Sequence, residues 1–408
     1  MSQARARANG EGSIYPFRNG FAAYAWVTTP AGERRRKYLY GPTREAVHAK
    51  WIKLQEEARQ RPVPTRVPTV ADWLATWLQE EVEPNLAPAT ATNYAMFVRL
   101  YITPALGTRR LDRLTVQDVQ RWLNGLRRTC QCCTQGKDAA RAEGERRCCA
   151  VGECCESFLS LRTVSDVRAA FRSALSSAIS RELVTRNVAT PVKLPSGRRR
   201  RRKAWSSDEA RAFLESARAD GDAMYAAYVL VLVLGLRRGE VLGLVWDDLD
   251  LDQGELAIGL QLQRVGGKLL HRETKTEGSD ATLPLPGICV TALRHRKATQ
   301  ADARERAGKA WQDRAGFVFT TRYGTPIEPR NFLRSFHWRA AKAGVRDITI
   351  HDARRTCATL LVDLDAHPRV IMQILRHAQM SVTMEIYSQA PSPKTREALR
   401  RLGESLDG

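Results

Sequence analysis

No run in this 408-residue sequence is apolar for long enough to cross a bilayer. The longest, Ala223 to Leu236, stops at Arg237, short of the roughly 20 residues a spanning helix needs, and reads as a buried helix. The basic amino terminus, MSQARARANGEG, leads into no apolar segment, so no export signal is visible. A cytoplasmic protein with no membrane partner is expected. Also missing are G-x-x-x-x-G-K-[ST] and H-E-x-x-H, which argues against P-loop nucleotide hydrolysis and a common catalytic zinc site. Negative charge is in short supply. The 44 Asp and Glu face 65 Lys and Arg, a formal charge of +21, and that excess points to a polyanion, most simply nucleic acid. Cysteine is scarce outside one segment, with seven of the nine between Cys130 and Cys155. In a reducing compartment these are thiols or metal ligands rather than disulfides.

What is present suggests two or three domains. Residues 1–66 hold three alternating stretches, Ser13–Phe17, Phe21–Thr29 and Arg34–Tyr40, which read as strands. Arg18-Asn19-Gly20 and Pro30-Ala31-Gly32 mark the turns. A helix from Thr43 to Arg61 follows, with Thr43 as its cap. This segment carries 13 Lys and Arg against five acids. A small basic sheet with exposed aromatics can lie in a DNA groove; an ordinary solvated sheet is the plainer alternative. Arg61–Pro68 reads as a proline-rich linker. Helical periodicity then fills 67–197, over Thr69–Leu78, Thr90–Ile102, Leu111–Leu126 and Ser160–Glu182. The insert at 130–155 interrupts it. Cys130 and Cys133, with Cys149 and Cys154, have spacings that could close a four-thiolate structural zinc site, although the doubled cysteines leave other pairings open. The bland reading is a loop of free thiols. Pro195–Lys203, with five consecutive arginines, is a polybasic connector suited to phosphates. Residues 198–408 begin with a capping box at Ser206 and Glu209. The buried helix and a β-rich middle follow: strands at Glu255–Gln263, Leu269–Lys275 and Ala281–Leu285, a turn at Val265-Gly266-Gly267, and a further short strand at Phe317–Thr320.

Phosphoryl chemistry without metal needs several cations around one phosphate. The candidates are Arg237 in GLRRGE, Lys275 in ETKTEG, His351 and Arg354 in HDAR, His377 in ILRHAQ, and Tyr387 in MEIYS. His351 and Arg354 share a helix face. Singly each is weak: a lone H-x-x-R is more often a surface pair, and one of ten tyrosines carries no signal. In their order, spacing and flanks they resemble the tyrosine recombinase family, the integrases of temperate phages and integrative plasmids. The resemblance spans the chain and is strongest over 230–390.

That resemblance implies a multidomain, mainly α fold with small β-sheets. The expected parts are an arm-site DNA-binding domain of a three-stranded sheet plus helix (1–66), a helical core-site DNA-binding domain (67–197) and an α+β catalytic domain (198–408). Arg237 and Arg354 match the family's phosphate-clamping arginines, with Glu240 as a buttress. His351 matches the acceptor of the tyrosine proton and Lys275 the general acid, though Lys268 lies in the same hairpin region. His377 matches a phosphate-bonding histidine and Tyr387 the nucleophile. The Cys insert departs from the general pattern and resembles inserts in some actinobacterial integrases. The implied activity is site-specific cutting and rejoining of DNA through a 3′-phosphotyrosine, with no cofactor for catalysis. Implied partners are double-stranded DNA at core and arm attachment sites and a homotetramer on that DNA. A directionality factor or host DNA-bending protein is a further partner the resemblance allows. A type IB topoisomerase-like strand transferase and a catalytically inactive DNA-binding regulator are the rivals.

Overall fold

The computed structural model describes residues 14–29, 32–63, 65, 67–195, 204–273, 281–376 and 379–387, with only the backbone described at Val382, Ile386 and Tyr387. The arginine run within 196–203 and the tail 388–408 lie outside these residues. The chain divides into two units, Met1–Arg199 and Arg200–Gly408. Among the described residues no helix is long and apolar enough to cross a membrane.

The first unit opens with an antiparallel sheet of β1 (Tyr15–Phe17), β2 (Gly20–Thr28) and β3 (Arg34–Gly41), in the order β1-β2-β3. Strand alternation decides its faces. Ala23, Ala25 and Val27 turn inward onto Val47, Trp51 and Leu54, one stripe of helix α1 (Arg44–Gln60). Thr43 caps that helix by accepting from the N–H of Ala46, and the Trp51 indole donates to Tyr24 O at 3.1 Å. The expected linker at 61–68 is pinned at both ends. Val63 is buried in this core and donates to Thr28 O at 2.7 Å, while Val67 is buried in the helical core that follows.

Helix α2 (Val70–Trp77), boxed by Thr69 and Asp72, continues through a wide π-turn (Leu78–Val82) into α3 (Glu83–Asn85). Helix α4 (Pro88–Phe97) likewise passes through Val98–Ile102 into α5 (Thr103–Leu106). Each wide turn precedes a proline, Pro84 or Pro104, whose ring crowds the preceding turn and supplies no N–H. Helices α6 (Val116–Leu126) and α8 (Leu161–Ser180) complete a core around Trp73, Leu123 and Phe171. The buried Trp73 indole donates to Ala174 O at 2.9 Å, and the Trp122 indole to Tyr101 O at 3.2 Å. The cysteine insert, with a short helix α7 (Gln131–Thr134), lies between α6 and α8.

The second unit begins at Trp205, whose backbone N–H donates to Thr356 Oγ1 and whose indole donates to Arg346 O. Helix α9 (Ser207–Ala219) has the Ser206–Glu209 capping box. Helix α10 (Tyr225–Val233) is apolar all round and buried all round, as such a helix must be. Helix α11 (Arg238–Gly243) follows. The expected strand Glu255–Gln263 is two strands. They are β5 (Glu255–Ile258), paired with β4 (Leu249–Asp250), and β6 (Leu260–Val265) in a separate hairpin. Gly259 divides them, a residue that weakens strand interiors and permits bends. Strand β6 pairs with β7 (Lys268–Glu273) through Gly266-Gly267, both at positive φ (54° and 80°) as a two-residue hairpin turn demands. Strand β8 (Ala281–Pro284) returns to pair with β5. The expected strand Phe317–Thr320 makes only isolated bridges, Val245 to Phe317 and Thr320 to Pro326. Its buried apolar residues serve the core without a ladder. Helices α12 (Gly287–Ala307), α13 (Pro329–Lys342), α14 (Ile350–Asp363), α15 (Pro368–Leu375) and α16 (Met380–Tyr387) complete the unit.

Candidate active site

Two left-handed turns bring distant cations together. Gly235 ends the segment after α10 at φ 60°, and a Cβ there would lie 2.4 Å from Leu375 Cδ2. Both conformation and space therefore call for glycine. Its carbonyl accepts from Arg354 Nη1 at 2.5 Å, and Arg354 Nη2 donates to Leu375 O. Arg354 reaches them from α14, which starts at a Thr349–Asp352 capping box. Two residues after Gly235, Arg237 caps α11. Its N–H donates to Glu240 Oε2 at 2.8 Å, its Nη1 to Glu240 Oε1 at 2.5 Å, and its Nη2 to Arg376 O at 3.2 Å.

Arg376 has the second turn, at φ 52° in the left-handed cap of α15. Glycine is the usual residue at such a cap, so nothing in the sequence marks this arginine. Its Nη2 donates to Glu240 Oε2 at 2.6 Å. Among the described residues its Nε is buried without a hydrogen-bond partner. Glu240 thus joins two guanidiniums, Arg237 three residues before it and Arg376 136 residues after it.

The cluster holds three guanidiniums, Arg237, Arg354 and Arg376, against one carboxylate. Burial, and then the neighbouring Arg237, push Arg354 down to about 9, against the pull of Glu240; it remains charged at neutral pH. Burial also lowers Arg376, with Glu240 opposing. Burial raises the Glu240 carboxyl, but the fields of Arg376 and Arg237 and the Arg237 hydrogen bonds win, and its pKa falls below the ordinary 4.5. Arg354 and Arg376 are almost wholly buried, while the Arg237 side chain is 41% exposed. Arg237 is therefore the cation of the three that faces solvent. His351 sits at the exposed start of α14, one turn before Arg354. Desolvation, then Arg354 and Arg237, lower its pKa below 6.5 against Asp352. At neutral pH this imidazole is a neutral proton acceptor. The arrangement can hold a phosphate diester, stabilise added negative charge and accept a proton.

Of the six residues picked from the sequence, Arg237 and Arg354 are brought onto adjacent carbonyls, Leu375 and Arg376. His351 belongs to the same electrostatic cluster. Tyr387 is the last residue of α16; its side chain lies outside the described residues, as do Lys275 and His377. The hairpin that leads to 275 docks backbone to backbone on α11. A Cβ at Gly243 would lie 2.6 Å from Gln261 Cα, and a ring nitrogen of His271 bonds Gly243 O at 2.8 Å. Lys268 stands at the tip of that hairpin, opposite Val265. A cavity of about 650 Å³ elsewhere in this unit is lined by Asp247, Asp248, Asp250, Asp252 and Glu255. It contains none of the candidates, and its five carboxylates outnumber Arg294 and Lys297, which disfavours a phosphate.

On the opposite face of the N-terminal sheet, Trp26, Tyr38 and Tyr40 are exposed. Arg36 stacks 4.8 Å from both Tyr24 and Trp26. Tyr24 stands opposite Tyr38, and Trp26 opposite Arg36.

Residues 204–392 match the phage integrase family, and residues 69–127 match the phage integrase N-terminal SAM-like domain. An integrase of Streptomyces ambofaciens is 27% identical over 96% of this chain and 95% of its own length. A XerC-like tyrosine recombinase of Caldanaerobacter subterraneus subsp. tengcongensis is 26% identical over 89% and 90%. In fold, the chain is similar to the Tn1549 transposon integrase solved with transposon right end DNA. The TM-score is 0.63 at 19% identity, over 82% of this chain and 99% of that one. It is also similar to a lambda integrase tetramer bound to a Holliday junction, with a TM-score of 0.53 at 16% identity over 93% and 96%.

Proposed function

The chain belongs to the phage integrase family of tyrosine recombinases and is a site-specific recombinase that cleaves and rejoins DNA; from that premise we propose how its residues divide the work. Arg237 and Arg354 clamp the scissile phosphate. The Tyr387 hydroxyl attacks phosphorus and passes its proton to His351. The bond from phosphorus to the 5′-oxygen breaks, and Lys275 protonates the leaving oxygen. His377 hydrogen-bonds a phosphate oxygen. The products are a 3′-phosphotyrosine and a free 5′-hydroxyl, and attack by a new 5′-hydroxyl reverses the step. The diester energy stays in the covalent bond, so no ATP and no catalytic cofactor is needed.

One observation carries this reading. Arg237 and Arg354, distant in sequence, converge on the two carbonyls that immediately precede His377 in the chain. Two of Arg354's five donors go to carbonyls, which fixes its plane for the rest.

The proposed partners follow from the relatives. Solved integrases of similar fold are bound to DNA, one of them as a tetramer on a Holliday junction. We assign this chain double-stranded core sites for residues 67–197 and 198–408 and arm sites for residues 1–66. The aromatic and arginine face of β2 and β3 is the arm-reading surface. A homotetramer is the working assembly. Structural zinc in the Cys130–Cys155 insert is a separate, non-catalytic proposal.

Tyr387→Phe tests the assignment. The variant binds attachment-site DNA as the parent does and forms no covalent adduct on a nicked suicide substrate. An adduct that persists in this variant removes Tyr387 as the nucleophile.

A further inference from the structure

The insert between α6 and α8 has no apolar core of its own. Its buried cluster consists of Cys130, Cys132 and Cys148, with Cys149 packed against them. Val151 is exposed. A connection this long, from Arg127 to Ser160, holds one shape only if something replaces a core.

The sulfurs show what does. The Sγ atoms of Cys130, Cys133, Cys149 and Cys154 all lie within 4.8 Å of one another, and so do those of Cys132, Cys148, Cys149 and Cys155. Cys149 belongs to both sets, and together they use every cysteine of the insert. Within the first set Cys130–Cys149 and Cys133–Cys154 are 3.8 Å apart; within the second Cys132–Cys148 and Cys149–Cys155 are 3.8 Å apart. A disulfide spans about 2.05 Å, so these are not bonded pairs. Four sulfurs around zinc at about 2.3 Å form a tetrahedron with edges of about 3.8 Å. Cys130 and Cys155, one from each set, approach to 3.9 Å across the shared corner.

The backbone frame is already built. Cys130 caps α7, which carries Cys132 and Cys133. The buried Asp138 carboxylate accepts from the N–H groups of Arg147, Cys148 and Ala150 and from Arg141 Nη1 at 2.8 Å. That fixes the loop carrying Cys148 and Cys149. Gln131 N–H donates to Ser157 O at 3.0 Å and ties the two ends of the insert together.

We propose that the insert binds two zinc ions, each in a tetrahedral four-thiolate site, with Cys149 Sγ bridging both. Each thiol releases its proton to solvent on binding, and no redox step is involved. The pair of ions closes the connection between α6 and α8. The proposal deepens the structural-zinc reading and does not depend on the recombination chemistry.

The test uses the full chain purified without chelator, with zinc counted by elemental analysis and native mass spectrometry. Two zinc ions per chain are expected. Cys154 and Cys155 are both exposed, so replacing either disturbs packing little. Cys154→Ser and Cys155→Ser each retain one chelator-resistant ion, from opposite sites. With two equivalents of cobalt(II) in place of zinc, the shared thiolate couples the two spins. The paramagnetic resonance signal then falls below that of one equivalent. A single zinc per chain overturns the two-ion site while leaving structural zinc standing. No zinc, with seven alkylatable thiols, overturns both. Two ions with a doubled cobalt signal overturn the bridge, and full retention of two ions in both serine variants overturns the ligand assignment.

Discussion

Glu240 is the residue on which the cation cluster depends most, and removing it has a calculable cost. Its carboxylate is 2% exposed and pairs with Arg376, itself 5% exposed, at 2.6 Å. Glu240→Ala leaves the Arg376 guanidinium buried without a counter-charge, a situation that costs about 3–5 kcal/mol. Arg376→Gly acts differently. It removes the cation that would be stranded, and it relieves a left-handed backbone that costs a non-glycine residue roughly 1–2 kcal/mol. The two substitutions are therefore coupled. Glu240→Ala should cost about 2 kcal/mol less in the Arg376→Gly background than in the parent, within the range seen for contacting residues. Arg376→Ala, which lacks the guanidinium but keeps the strain, should be less stable than Arg376→Gly by about 1 kcal/mol. Urea unfolding read by hydrogen exchange of peptides from 225–243 reports this unit without interference from the first. The pH dependence has a definite sign. The folded pKa of Glu240 lies below 4.5, so its stabilisation is complete above that value. It is lost as pH falls through the lower folded value, and the gap between parent and Glu240→Ala closes there. Additivity of the two substitutions within about 0.5 kcal/mol would refute the reasoning.

Three other outcomes are expected. Single-turnover cleavage should be flat above pH 6.5 and fall as acid protonates His351, with a midpoint below 6.5 because burial and Arg354 depress that pKa; a midpoint above 6.5 would exclude His351 as the acceptor. Arg36→Ala removes the cation stacked on Tyr24 and Trp26. Arm-site affinity should drop and its salt slope should shrink by about 0.9, while cleavage of a short core substrate is unchanged; an unaltered slope in filter binding argues against phosphate contact there. Gly243→Ala drives a Cβ to within 2.6 Å of Gln261 Cα and should destabilise the second unit by about 1–3 kcal/mol. A neutral effect on its melting temperature would show that the hairpin is free to move off α11.

Local signals in the sequence carried far because they state their own physics. Thr43 and Ser206 each precede a helix they cap, and the capping box at Ser206 is intact in the fold. The alternation of Ala23, Ala25 and Val27 against Tyr24 and Trp26 assigns both sheet faces. Pairing partners were less legible. Alternation over Glu255–Gln263 continues across Gly259 although its two halves join different sheets. Phe317–Thr320 has strand composition, but among the described residues it meets only the short stretch Leu244–Trp246 and Pro326, in isolated bridges. Arg61–Pro68 reads as linker because prolines dominate it, while single valines, Val63 and Val67, anchor it in two cores. In the candidate site, Arg237, His351 and Arg354 were legible through their flanks. Arg376 was not, because an arginine at a left-handed cap has no local signature, and its reason for being there lies 136 residues away at Glu240.

The Arg354 bonds to Gly235 and Leu375 also have a bearing on how the enzyme is made. Arg237 leaves the ribosome well before the segment carrying Arg354, Arg376 and Tyr387. On the proposed assignment of roles, until that last part is synthesised and docked the early half of the site lacks its second clamp, Arg354, and its attacking group, Tyr387. On that assignment, a nascent or truncated chain keeps its basic front end but lacks the groups needed to cut DNA. For a recombinase that cleaves and rejoins DNA, the order of translation is then itself a safety catch.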